Sequence, residues 1–537
     1  MHHEGRIWEY WNNRVLERCA LKIPLLHHSH SPLLSSLRHL RRFARSNLTT
    51  KKRSRRSPDS FFKQFSSSYL RGGIRLSVFA AALWLSGCMV GPDYNRPSME
   101  IPTQFRAAMT PDAATSIADL KWFDLFQDDH LKDLIRVALV QNYDLRDAIA
   151  RVDEARANLG ITRSNQFPQF GFGADVTSIE LSRQGAFTIP KGTDRQRTFG
   201  EVFLSLFSFE VDIWGRLRRA TESAQAQLLA SDWNRKEVIR TLISDVATAY
   251  FNLLELDMEL EIARNTLGTR EASLGLLRTQ LQGGVGTLLD VRQGEQLVYG
   301  AAQTIPDDER QIEQTENAIS LLLGKSPGPV VRGSLLTSQQ TLPEVPAGLT
   351  SALLERRPDI QAAEQILVAA NANIGVAKAA YFPQITLTGE YGFQSTALAS
   401  LFSSSRSRWN FIPQLTQPIF TAGRLGSQVE LAEAQQRSAL AQYEKAIQSA
   451  FSDVSDALIQ YQKIREIRAY RESLVTSLQD RKRLAYMRFR GGVDTMLNAL
   501  NSDQDLFAAE LSLAEARRDE LLSLVQVYKA LGGGWQE

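Results

Sequence analysis

The sequence predicts a mainly α protein with membrane β-structure, built from a duplicated unit of long helices and a β-hairpin. Three observations predict it. The chain repeats its own motifs in order, it holds two stretches of 67 residues with no proline, and each half carries a segment of alternating apolar and polar residues followed by an aromatic-rich returning stretch. A length of 537 residues accommodates roughly two to four ordinary domains or one elongated body. A charged fraction of 23% beside 25 Phe, 13 Tyr and 8 Trp is too apolar for a disordered chain, and two cysteines rule out a disulfide scaffold. No run reaches the ~20 apolar residues of a membrane-spanning helix, so a polytopic helical membrane protein is excluded.

The N-terminal element is a basic leader on an acidic body. Residues 1–87 hold sixteen Lys+Arg and four acids, whereas 88–537 hold 46 bases and 55 acids. Residues 1–70 lack periodicity and contain Lys51-Lys52-Arg53-Ser54-Arg55-Arg56. They read either as a nucleic-acid arm or as a start site assigned too far upstream, and the second reading agrees with the signal peptide that follows. In residues 71–87, Arg71 and Arg75 form a positive n-region and Leu76 to Leu85 a short apolar h-region. Leu85-Ser86-Gly87-Cys88 comes next and resembles a bacterial lipobox. That likeness implies cleavage before Cys88 and covalent lipid on its thiol and amine, enough chains for stable anchoring. A buried cysteine after a core strand is the plainer alternative. Met89, rather than Asp, at the next position is consistent with outer-membrane sorting. Residues 88–127 are then the lipidated N-terminal segment.

The rest is written twice, as a first repeat over 128–323 and a second over 351–532. Asp144-Leu145, Ala157-Asn158-Leu159-Gly160-Ile161 and Phe167-Pro168-Gln169 recur 215 residues later at Asp359-Ile360, Ala372-Asn373-Ile374-Gly375-Val376 and Phe382-Pro383-Gln384. Gly215-Arg216-Leu217, Gly283-Gly284-Val285 and Leu323-Gly324 recur 208 residues later. Each repeat opens with helix, over about 128–165 and 351–380, stopped at Phe-Pro-Gln by proline. Hairpins follow at about 168–211 and 383–420, where Phe170, Phe172, Ala174 and Val176 alternate with their neighbours, as do Ile385, Leu387, Gly389, Tyr391 and Phe393. Arg216 to Gln282 and Arg424 to Arg490 are the proline-free stretches, each ~100 Å long as a continuous helix. Val238, Leu242, Val246, Ala249, Leu253, Leu256, Leu260, Ala263 and Leu267 supply the apolar stripe. Gly-Gly ends each long helix, and a second helix returns over about 287–323 and 494–531. Residues 324–350, with Pro327, Pro329, Pro343 and Pro346, form a surface linker.

Each hairpin alone suits a soluble core or a membrane barrel. If the hairpins cross a bilayer, the sheet must close, because unpaired amides and carbonyls find no water there. Four strands cannot close alone, since the smallest common barrels use about eight. Several chains must then share one barrel, with Tyr391, Phe393, Trp409 and Phe411 as candidates for an interfacial girdle. The long helices exceed a bilayer of ~40–45 Å and must project into water.

The motifs resemble the outer-membrane efflux protein family, the TolC-like ducts, and in particular the lipoprotein branch that works with resistance-nodulation-division exporters. The residues that carry the likeness are Cys88-Met89-Val90-Gly91-Pro92-Asp93-Tyr94 with Pro97, Trp122-Phe123 with Phe126, Asn142-Tyr143-Asp144-Leu145, Arg356-Arg357-Pro358-Asp359-Ile360, Phe382-Pro383-Gln384, Phe420-Thr421-Ala422-Gly423-Arg424 and the two Gly-Gly-Val tips. The likeness implies a homotrimer forming an α-barrel and a transmembrane barrel of twelve strands. It implies a periplasmic adaptor (membrane fusion) protein and an inner-membrane resistance-nodulation-division transporter as partners. It also implies outer-membrane lipid around the barrel, no nucleic acid, and a pump that exports drugs or other small molecules.

The same likeness assigns Gly283, Gly284, Val285, Gly491, Gly492 and Val493 as adaptor-contact tips, beside their role as helix caps. It assigns Asp494 to a threefold ring of carboxylates at the closed aperture; Arg488 and Arg490 are the nearest salt-link candidates in the sequence, and Asp290, which aligns with Asn498 across the repeat, is a candidate contributor from the first half. A carboxylate favoured at a helix N-terminus is the simpler reading of Asp494. The places a turn further on, acidic in other channels of the wider family, are Asn498 and Asn501. No enzyme, metal site or cofactor beyond the lipid is expected, since only His130 follows the leader and no Walker-type phosphate loop appears. A periplasmic coiled-coil adaptor or structural lipoprotein is the rival from another class, and metal or peptide export are alternatives within the duct reading.

Overall fold

The computed structural model describes residues 89–106, 116–182, 190, 192, 194–339, 345–348 and 350–536. Residues 1–70 and 71–87, expected to be a leader and a signal peptide, and Cys88 lie outside the described residues. The chain divides into two compact units. Among described residues the smaller comprises Met89, Val90 and Asp212–Gly215, where the Val90 amide donates to the Trp214 carbonyl at 3.1 Å.

The larger unit holds the duplicated elements. In the first repeat these are α1 (Trp122–Leu125), α2 (Asp129–Gln141), α3 (Tyr143–Ser164), β1 (Phe170–Glu180), β2 (Gln196–Glu210), α4 (Arg216–Gln282) and α5 (Leu288–Leu322). In the second they are α6 (Thr350–Arg356), α7 (Pro358–Ala379), β3 (Gln384–Ser395), β4 (Ser407–Thr416), α8 (Arg424–Arg490) and α9 (Met496–Ala530). Both long helices run for the full 67 residues. No helix is long and apolar enough to cross a membrane among the described residues.

Each opening helix is broken where a single helix is expected. Asn142 turns extended, caps α3 by accepting from the Leu145 amide at 2.9 Å, and donates to the Leu322 carbonyl at 2.9 Å. Arg357 is extended because the ring of Pro358 disfavours helical geometry in the residue before it. The two breaks are homologous joints. Gly324, at φ +66, closes over Gln141, where an added Cβ would lie 2.4 Å from the carbonyl oxygen. Gly532, at φ +86, closes over Arg356 in the same way. Each returning helix thus ends on the break that opens its own repeat.

The main core sits around the middle of the long helices. Leu242, Val246, Leu253 and Leu256 of α4 pack with Tyr443, Ile447, Val454 and Tyr461 of α8, and with α2 and the C-terminal parts of α5 and α9. Asp128 ties the 324–339 segment to this core. Its carboxylate caps α2 through the His130 and Leu131 amides, and accepts from the Tyr250 hydroxyl at 2.9 Å, the Ser334 amide at 2.9 Å and Gln339 at 3.0 Å.

Candidate functional site

The two hairpins join edge to edge into one antiparallel sheet of order β1-β2-β3-β4. Side chains opposite each other across an antiparallel pair share a face. Phe170, Phe172 and Ala174 therefore share a face with Leu206, Leu204 and Val202. Leu204 and Leu206 are opposite Tyr391 and Gly389, which in turn are opposite Trp409 and Phe411. A bulge between Leu206 and Phe209 inserts one residue and keeps Phe209 on that face opposite Leu387. The result is one apolar surface across all four strands, with Phe172 and Trp409 each 75% exposed. A contiguous exposed patch of this kind marks an interaction surface rather than ordinary scatter.

The other face carries the charged groups, with Phe199, Phe203 and Ile412 among them. Asp175, Glu201, Glu390, Arg408 and Asn410 share it. Arg408 pairs with Glu201 at 2.7 Å and with Glu390 at 3.3 Å, and the Asn410 amide donates to Glu390 at 3.1 Å. Strands of 10 to 15 residues match the length that spans a hydrocarbon core when tilted. Only β2 and β3 have a partner on both sides, so β1 and β4 present free edges among the described residues.

At the helical tips the two repeats share one turn. The Gly283 amide donates to the Thr279 carbonyl and Val285 to Gln280; Gly491 donates to Met487 and Val493 to Arg488. Gly284 and Gly492 both take φ +72, a left-handed conformation that a side chain strains. Val285 and Val493 project, 82% and 66% exposed. These tips form one end of the bundle, since Leu274 and Leu277 of α4 and Val291 of α5 share a buried cluster with Met496 and Leu500 of α9.

The candidate charges divide. Arg488 meets Asp494 at 3.0 Å within the second tip. Asp494 also accepts from the Asn498 side chain at 2.7 Å and from the Thr495 amide at 2.8 Å. Those bonds, Asn498 first and then Arg488, hold its carboxyl below the usual carboxylate range. Arg490 is exposed and forms no ion pair among the described residues. Asp290 is committed to a capping box, accepting from the Thr287 amide and hydroxyl at 2.9 and 2.6 Å. It makes no bond to the second tip among the described residues. No group of three or more His, Cys, Asp or Glu is arranged to hold a metal ion among them.

Sequence reasoning missed buried ionic clusters further along the helices, among them the following two. Arg270 of α4 pairs with Asp503 of α9 at 2.9 Å, beside Lys482 of α8. Glu255 of α4 pairs with Arg518 of α9 at 3.0 Å. Burial first, then the charge of Glu255, pushes neighbouring Glu259 up to about 8, and burial pushes Asp308 up to about 6. The signal for the first cluster was present. Arg270 occupies the apolar stripe of Leu267, Leu274 and Leu277, and Asp503 that of Leu500 and Leu506.

Comparison with known proteins places these features. The profile of the family described as outer membrane efflux protein matches residues 134–325 and 349–533. The probable efflux pump outer membrane protein TtgC of Pseudomonas putida is 37% identical over 467 residues, covering 86% of this chain and 96% of the relative. The cation efflux system protein CusC of Escherichia coli K12 is 35% identical over 464 residues, covering 86% and 99%. The solved open state of the Neisseria gonorrhoeae MtrE outer membrane channel superposes with a TM-score of 0.76 at 33% identity, covering 84% of this chain and 99% of that one.

Proposed function

We propose, from the premise that this chain belongs to the outer membrane efflux protein family, that it forms the exit duct of a tripartite pump and conducts drugs or other small molecules from periplasm to exterior. One observation carries the reading. A four-stranded sheet with an apolar exposed face, an opposite face that carries the charged residues, and two free edges among the described residues is attached to helices of 67 residues. In a bilayer the free edges must be paired, and three copies supply twelve strands, enough to close a barrel around the charge-bearing face. The helices then continue the wall into the periplasm.

Lipid on Cys88 anchors the same assembly. The tips at Gly283-Gly284-Val285 and Gly491-Gly492-Val493 meet the periplasmic adaptor, and an inner-membrane resistance-nodulation-division transporter loads the cargo. A duct lined by mixed polar groups does not choose its cargo; the relatives are named for both toluene and cation efflux, and selection lies with the transporter. Asp494 from three chains rings the closed aperture, and Arg488 holds each carboxylate. Arg490 and Asp290 lie at the same end as secondary charges. The Asp494→Ala protein tests the ring. It is expected to show raised single-channel conductance and altered sensitivity to large antibiotics; unchanged values of both count against the ring.

A further inference from the structure

Near the tips one charged cluster is buried as deeply as the apolar core. Arg270 and Asp503 are each 2% exposed and meet through Nε and Oδ2. Arg270 also donates to the Leu297 carbonyl of α5 at 2.8 Å and to Gln504 at 3.0 Å, with its guanidinium 4.8 Å from the Phe507 ring centre. Lys482 of α8 approaches the second oxygen of Asp503 at 2.5 Å, outside hydrogen-bonding geometry. All four helices are therefore tied at one level. Between this level and the tips the ties are of weaker kinds. Arg488–Asp494 and the Arg278–Glu295 pair at 3.0 Å each hold an exposed arginine, Ser273 and Tyr486 share one bond at 3.2 Å, and a small apolar cluster surrounds Leu277 and Leu500.

We infer that the Arg270–Asp503–Lys482 cluster is the fulcrum of tip movement. Residues 271–282, 288–296, 483–490 and 496–502 swing, while the helices beyond the cluster stay packed. The inference rests on the tips being the aperture and says where their opening stops. An exposed pair exchanges its partner for water at little cost. Separating the buried pair strands charges in a poorly solvating interior, which disfavours that opening by roughly a hundredfold or more. Splaying that starts at the exposed pair therefore halts at the first buried ionic tie. The swinging pieces are seven to twelve residues, or ~10–18 Å of helix.

Hydrogen exchange of the full-length protein in lipid nanodiscs tests this. Amides of the four tip segments are expected to exchange at least ~tenfold faster than those of the next two turns. The step should fall at Arg270, Leu297, Lys482 and Asp503 together. Asp503→Asn is expected to move the step away from the tips on all four helices, and Asp503→Glu to restore it. Protection that declines smoothly through these positions overturns the inference, as does a step that Asp503→Asn leaves in place. Should Asp503→Asn fail to fold, the position of the step in the unsubstituted chain decides. Unchanged conductance in the Asp494→Ala protein, with the step intact, overturns the aperture assignment alone.

Discussion

An arginine at Leu204 asks which face of the sheet meets lipid. Leu204 lies midway along β2, opposite Phe172 on one side and Tyr391 on the other. Arginine near the midplane on the lipid face of a β-barrel costs about 2–4 kcal/mol. Three copies make ~6–12 kcal/mol per trimer if the sites act independently. Ser205 is the control, because the next residue of a strand points to the other face. Its hydroxyl donates to the Gly171 carbonyl at 3.3 Å, and losing that bond costs about 0.5–1.5 kcal/mol. An arginine that enters a water-filled lumen adds little. Leu204→Arg should therefore be the less stable by ~1–3 kcal/mol per chain. Urea titration of folding into phospholipid vesicles, followed by tryptophan emission, measures the difference. Equal losses, or a greater loss in Ser205→Arg, would refute the assignment of faces.

Other groups carry predictions of their own. Asp128→Ala removes the cap of α2 and leaves the Tyr250 hydroxyl and Ser334 amide short of a partner, so thermal or chemical unfolding should show a loss of ~2–5 kcal/mol. Burial pushes the Asp128 carboxyl up, but bonds from Ser334, Gln339, Tyr250 and Leu131 outweigh it and the net shift is downward. The folded value lies below the unfolded one, so its stabilisation is complete above about pH 4 and fades as the pH falls through the folded value. Glu259 has the opposite sign. Its folded value of about 8 exceeds the unfolded one, so the folded protein holds an extra proton in between and loses stability as pH rises through that window. Glu259→Gln should flatten that part of a pH–melting profile, and an unchanged slope would count against the burial argument.

Much of the fold was legible because its signals are local. Two proline-free stretches and two Gly-Gly stops gave the ends of α4 and α8, period-two alternation gave β1 and β3, and the aromatic-rich returning stretches gave β2 and β4. The breaks at Asn142 and Arg357 were also written locally, as a capping residue and a residue before proline, but continuous helical periodicity on either side masked them. The β2–β3 pairing was not legible, since a strand does not encode which distant strand it meets. The same holds for Arg270 and Asp503. Each sits on an apolar stripe, yet their partnership depends on how α4 and α9 face each other. At the tips, the duplicated glycines and Asp494 were read from the sequence, whereas the commitment of Asp290 to Thr287 came from side-chain geometry.

The most direct test of strand sharing is the mass and extraction behaviour of the Cys88→Ser protein, in which no acyl chain holds the assembly to the membrane. Incomplete sheets that close only together predict a species released by detergent alone, with the mass of three chains. A water-soluble species with the mass of one chain, its Phe172 and Trp409 covered within the same molecule, would contradict the account.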